Sequence, residues 1–125
     1  MKDLVAVLKS SFESIDCQVE YADVFEEFME ETGELEIIYG NVGYCVYVYH
    51  AQEELPGLIK FGTVPANLGP LYSVLKKTIT DKGYSLEKYG ETQDKELYLR
   101  ATIDKKKFNI YFEKIEGSKP NYGVF

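Results

Sequence analysis

The chain has 125 residues, 45% of them hydrophobic and 28% charged, with a formal net charge of -7. That length suits one domain, residues 1–125, with a core large enough to need no staples. Two cysteines, Cys17 and Cys45, are too few for a disulfide framework or a structural zinc site, and no apolar run approaches the roughly 20 residues of a membrane span. The N-terminal stretch MKDLVAVLKSSFESI has no basic start of the secretory kind. A soluble, cytoplasmic chain with no membrane contact is expected.

Charge is unevenly spread. Residues 1–62 hold 13 acidic and 3 basic side chains, whereas residues 63–125 hold 8 acidic and 11 basic. The balance is therefore -10 against +3. Asymmetry of this kind bears on partners more than on fold. An acidic half repels phosphates, so nucleic acid is a poor partner for it.

The first helix is expected from about Asp3 to Ser14, because Leu4, Val7, Leu8, Phe12 and Ile15 recur at helical spacing. Asp3 suits its positive start, as N-cap or first-turn residue. Residues 16–34 read two ways. Val24, Phe25, Phe28 and Met29 fit a short amphipathic helix that Gly33 would end. Comparison with the second half favours a strand instead, with Phe25 over Leu86, Phe28 over Tyr89 and a turn near Thr32–Gly33.

The next segments are clearer. Leu35 to Tyr39 and Tyr44 to Tyr49 are β-branched and aromatic runs, joined by turn residues of Gly40–Asn41–Val42–Gly43. The second run is apolar on both faces, which places it inside a sheet. Leu58 to Val64 forms another strand. Pro70 then fits the first turn of a helix over about Leu68 to Lys82, and Gly83 fits its C-terminal cap. Strands are expected at Tyr84 to Tyr89, Glu96 to Ile103 and Lys107 to Ile115, with Asp104–Lys105–Lys106 as a hairpin turn. Residues 117–125 read as a loosely held tail.

Leu4, Val7, Leu8 and Phe12 recur as Leu71, Val74, Leu75 and Ile79, and LEIIYGNVGYCVYVY recurs as LYLRATIDKKKFNIYF. The pattern predicts an α+β fold of two α-β-β-β units, residues 1–62 and 63–116. They would share one antiparallel sheet of about six to seven strands, with two helices packed on one face.

Catalytic signatures are missing. The single histidine, His50, needs a partner such as Cys17, Cys45, Glu53 or Glu54, and nothing local aligns one. No phosphate loop, dinucleotide fingerprint, nucleophile elbow or paired-histidine metal motif is present. The chain is therefore read as non-enzymatic, with no cofactor and no metal. Glu26, Glu27, Glu30, Glu31 and Glu34 form an acidic run without the spacing of a calcium loop. It reads as a solvated face or as a docking surface for a basic partner. Eleven tyrosines without tryptophan suggest aromatic sheet surface, and Tyr98 and Tyr111 should point away from the side carrying Leu97, Leu99, Phe108, Ile110 and Phe112.

The leading expectation is an acidic binding protein that docks a protein partner, as a chaperone, immunity protein or inhibitor does. The alternative is a small-ligand-binding domain with a tyrosine-lined pocket between helices and sheet. Exposed strand edges also permit a homodimer.

Overall fold

The computed structural model describes residues 1–27, 30–50, 58–92 and 96–115. It contains two helices, α1 (Lys2–Glu13) and α2 (Gly69–Asp81), and a short 3-10 turn at Ala66–Leu68. Seven strands complete it: β1 (Cys17–Glu27), β2 (Glu30–Tyr39), β3 (Val42–His50), β4 (Leu58–Phe61), β5 (Ser85–Thr92), β6 (Leu97–Ile103) and β7 (Lys106–Lys114). The strands form one antiparallel sheet in the order β1-β2-β3-β7-β6-β5-β4, so the fold is α+β.

Helix α1 buries Leu4, Val5, Val7, Leu8, Ser11 and Phe12, the stripe its spacing predicts. Its N-cap is Met1, without a side-chain capping bond, and Asp3 lies in the first turn. Buried Ser11 is satisfied locally, since its hydroxyl donates to the Val7 carbonyl at 2.9 Å. Helix α2 buries Leu71, Leu75 and Ile79 and carries Pro70 in its first turn. Its end is a Schellman closure: Gly83 N–H donates to Thr80 O at 2.9 Å and Tyr84 N–H to Ile79 O at 3.1 Å. Gly83 takes φ +82, where a side chain would be strained.

The ambiguous segment is strand, not helix. β1 pairs with β2 from Cys17↔Tyr39 to Glu27↔Glu30, with a register break between Val19 and Tyr21. The expected turn at Thr32–Gly33 is not there. Gly33 sits within β2, opposite Val24 and Val48. Its hydrogen atom faces α1: a Cβ built there would lie 2.6 Å from Val5 Cγ2. Glycine at this position serves close approach rather than turning. The alignment of Phe25 with Leu86 is also displaced. The register break in β5 falls between Leu86 and Lys88, so Leu86 stands to its bulge as Val19 stands to that of β1.

Other boundaries shift slightly. β4 ends at Phe61 rather than Val64, and Gly62 follows with φ +75. Lys106 belongs to β7, leaving a two-residue turn at Asp104–Lys105 with φ 49 and 70. Gly40–Asn41 makes the matching turn between β2 and β3, with φ 61 and 64. Both are type I′ turns, whose twist suits a tight hairpin. Phe28, Met29, Glu53, Glu54 and the tail 117–125 lie outside the described residues.

Several offsets recur. The starts of α1 and α2, Lys2 and Gly69, are 67 residues apart, and so are the register breaks after Val19 and Leu86. The turns beginning at Gly40 and Asp104 are 64 apart, as are Tyr47 and Tyr111, which pair where β3 meets β7.

One hydrophobic cluster spans the molecule. Leu4, Leu8 and Phe12 of α1, Leu71, Leu75 and Ile79 of α2, and Leu35, Ile37, Val46, Val48, Leu97, Leu99, Ile110 and Phe112 of the sheet are all buried in it. Phe12 meets Phe112 edge-on, with ring centroids 5.9 Å apart. Asn67 Nδ2 donates to the buried Tyr44 hydroxyl at 2.6 Å, which ties the approach to α2 onto β3.

Candidate functional site

Alternation along a strand sends successive side chains to opposite faces. On β3, Val46 and Val48 enter the core, so Cys45, Tyr47 and Tyr49 occupy the other face. The same division puts Tyr98 and Arg100 of β6, and Asn109, Tyr111 and Glu113 of β7, on that second face.

Cross-strand register arranges this face into three rows. The first runs Tyr21–Glu36–Cys45–Glu113. The second runs Asp23–Glu34–Tyr47–Tyr111–Tyr98–Gly90. The third runs Phe25–Thr32–Tyr49–Asn109–Arg100. Neighbours within a row are roughly 4.8 Å apart, the spacing between strands. Asp23, Glu34 and Glu36 lie on β1 and β2, Tyr47, Tyr49, Tyr111 and Tyr98 on the middle strands together with Glu113 of β7, and Arg100 on β6.

The expected tyrosines therefore point away from the core. Tyr98 and Tyr111 are direct cross-strand partners with ring centroids 4.9 Å apart, and Tyr47 stacks on Tyr111 at 6.4 Å. Tyr98, however, is only 5% exposed, while Tyr111 is half-buried. The hydroxyls of Tyr49 and Tyr98 are hydrogen-bonded to each other, and the Tyr111 hydroxyl donates to Glu96. The other Glu96 oxygen accepts the Lys114 backbone N–H at 2.9 Å. Glu96, outside the expected set, thus ties the approach to β6 onto β7 beside the tyrosine cluster.

The acidic run is divided. Glu34 joins the tyrosine row, and Glu30 lies further along β2 with the same facing. Glu26 and Glu31 pair across the hairpin on the opposite face, two residues beyond Val24 and Gly33. Glu27 pairs with Glu30 through the backbone, and its side chain lies outside the described atoms. The structure brings Glu34, Tyr98 and Tyr111 into one row and leaves Glu26 and Glu31 away from it.

Electrostatics mark the acidic end. Burial, then the neighbouring Glu36 charge, push the Glu34 carboxyl above its ordinary value. Burial raises the Cys45 thiol, and Glu34, Glu36 and Glu113 add to it. The Tyr47 hydroxyl is raised by its hydrogen bond with Cys45, then by burial and by Glu113 and Glu34. Among the described residues, the ion pairs are Lys77–Asp81 at 3.7 Å and Lys107–Glu87 at 3.6 Å, both elsewhere. Among the described residues, no lysine ion pair involves the Asp23, Glu34, Glu36 or Glu113 carboxylates.

Two further residues occupy the middle of the sheet. Arg100 and Asn109 are buried at 3% and 1% exposure, and Arg100 Nε donates to Asn109 Oδ1 at 3.2 Å. Asn109 Nδ2 has no hydrogen-bond partner among the described residues. Polar residues inside the apolar strings LYLRATI and KFNIYF were the available signal.

Of the groups weighed for catalysis, His50, Cys17 and Cys45 lie among the described residues. His50 packs against the Phe108 ring at 5.0 Å. The Cys17 thiol is pushed up to about 11 by burial and then Asp16, so both cysteines stay protonated at neutral pH. Among the described residues, no group of three or more histidine, cysteine, aspartate or glutamate side chains is placed to hold a metal ion. Among them, too, no helix is long and apolar enough to cross a membrane. No family model, no curated protein and no solved structure matches the chain.

Proposed function

We propose that the chain is a non-catalytic binding protein that docks a basic protein partner on the β1–β2 end of the tyrosine face. The observation that carries this reading is the set of carboxylates of Asp23, Glu34, Glu36 and Glu113 on one face, none of which is in an ion pair with a described lysine. Burial and these neighbouring charges raise the cost of ionising Glu34 and Cys45. A cationic partner relieves that cost, which favours association and steers it. The adjoining aromatic surface, with Tyr21 at 41% and Ile38 at 37% exposure, supplies apolar contact of the kind interfaces use. A chaperone, an immunity protein and an inhibitor would each work through such a surface.

The matched offsets, 67 residues for helices and bulges and 64 for the turns, support a duplicated α-β-β-β unit whose copies have diverged in charge. On that reading the acidic copy carries most of the docking surface, with Glu113 contributed by the other copy, which also supplies the second half of the core. The small-ligand alternative draws less support. The interior between helices and sheet is filled by leucine, isoleucine, valine and phenylalanine, and the tyrosines of the three rows face the other way.

The test is binding of a 20-residue polylysine at two salt concentrations. Binding should be measurable at 50 mM salt and fall at least tenfold by 300 mM, where exposed charges are screened. Joint reversal by Glu36→Lys and Glu113→Lys, both exposed, should remove it. Reversal of exposed Glu13 on α1 should not. Binding that ignores salt, or survives the double reversal, would overturn the reading.

A further inference from the structure

We infer that the outer edge of β1 is a strand-addition site, and that its occupant is an extended cationic segment alternating basic and apolar residues. This rests on the docking reading above and specifies its geometry.

β1 ends the sheet and, among the described residues, pairs only with β2. Beyond the bulge, Tyr21 to Glu27 stay in unbroken register with Glu36 to Glu30. That is a regular edge of seven residues, about 23 Å long at ~3.3 Å per residue. An edge of this length offers a row of backbone donors and acceptors to another chain. The opposite edge, β4, has 4 residues and offers much less.

The two sides of this edge differ chemically. Tyr21 and Asp23 lie on the tyrosine face, both exposed, with Glu36 and Glu34 behind them in register. Ala22 and Val24 lie on the core face, half-buried and packed against the cluster. Over Tyr21 to Val24, a strand added ~4.8 Å outside β1 would therefore set alternate side chains beside carboxylates and the others beside aliphatic groups, with Phe25 and Glu26 following on the tyrosine and core faces respectively. Lysine or arginine suits the first set and valine, isoleucine or leucine the second. A second copy of the chain is a poor occupant. Its β1 would bring Glu20, Asp23 and Glu26 against the same residues, and like charges opposed across strands destabilise pairing. The bulge after Val19 bounds the site at one end.

An eight-residue peptide alternating lysine and valine, capped at both termini, tests the inference. It should bind at low salt and slow amide exchange across residues 21–27. The same peptide N-methylated at alternate residues keeps its charge but loses the backbone donors of one edge, and its affinity should drop at least tenfold. Equal binding of the two peptides, both weakened by the Glu36→Lys and Glu113→Lys pair, would overturn strand addition and leave docking standing. No binding of either peptide would remove both. A free protein that sediments as a dimer with residues 21–27 already protected would assign the edge to a second copy, and the inference would fail.

Discussion

Gly33 and Val5 meet where α1 lies over β2: a Cβ added to Gly33 would stand 2.6 Å from Val5 Cγ2 and 3.2 Å from Val48 Cβ. The first distance is shorter than real side chains tolerate, and Val48 is fully buried. The helix can sit this low only because β2 has no side chain there.

Gly33→Ala should therefore destabilise the fold by about 1–3 kcal/mol, the usual cost of overpacking a filled core. Val5→Ala in the same chain should recover part of the loss, because it removes the clashing methyl. Urea unfolding of the two single variants and the double variant gives the coupling directly. Simple additivity of the two losses would mean that the contact is not what limits this position.

Alkaline pH should unfold the protein through its tyrosines. Burial raises Tyr49 and Tyr111 above the ordinary tyrosine value, with Tyr98 and Glu96 next in effect, and the Cys45 hydrogen bond leads at Tyr47. Each folded-state value is above the unfolded one, so the folded chain holds the proton longer. Their stabilisation is complete below pH ~10 and is lost as pH climbs past it, at no more than about 1.4 kcal/mol per pH unit for each tyrosine. Urea midpoints should hold from pH 8 to about pH 9.5 and fall steeply above pH ~10, and Tyr49→Phe or Tyr111→Phe should flatten the fall. An unchanged slope in both variants would contradict the assignment.

Glu34 titrates in the opposite sense to a salt-bridged carboxylate. Its raised value means that the folded state binds the proton more tightly than the unfolded chain does. Stability is then favoured at low pH and declines as Glu34 ionises. Glu34→Gln should stabilise the protein at pH 7 by about 0.5 kcal/mol or less, since the group is largely solvated. The gain should vanish near pH 3, where wild-type Glu34 is already neutral. Thermal midpoints at the two pH values measure the difference.

Much of the architecture is legible in residue order because helix stripes and strand alternation are local. The helices come from Leu4–Leu8–Phe12 and Leu71–Leu75–Ile79, and the β2–β3 and β6–β7 hairpins from their turn residues. β1 was obscured by its bulge. The extra residue near Glu20 shifts the alternation by one, so Val19, Ala22 and Val24 cease to read as a single period of two. Gly33 carries no local mark separating a turn from a close approach, because the reason lies in a helix nearly 30 residues earlier. The site was legible only in part. Alternation placed Tyr98 and Tyr111 on their face, but Tyr98 is covered rather than open. The Arg100–Asn109 pair and the Glu96 anchor depend on register between β6 and β7, which no single strand encodes.

The seam between β3 and β7 has a kinetic consequence. It joins Tyr47 to Tyr111, residues 64 apart, whereas both flanking hairpins close over two-residue turns. The hairpins can form while the chain is still collapsing, but the seam must wait for a long loop to close. Until it does, β3 and β7 each present a raw apolar edge, bearing Val46 and Val48 on one and Ile110 and Phe112 on the other. The moment of greatest exposure to aggregation in this chain is thus the interval between two completed hairpins and one sheet.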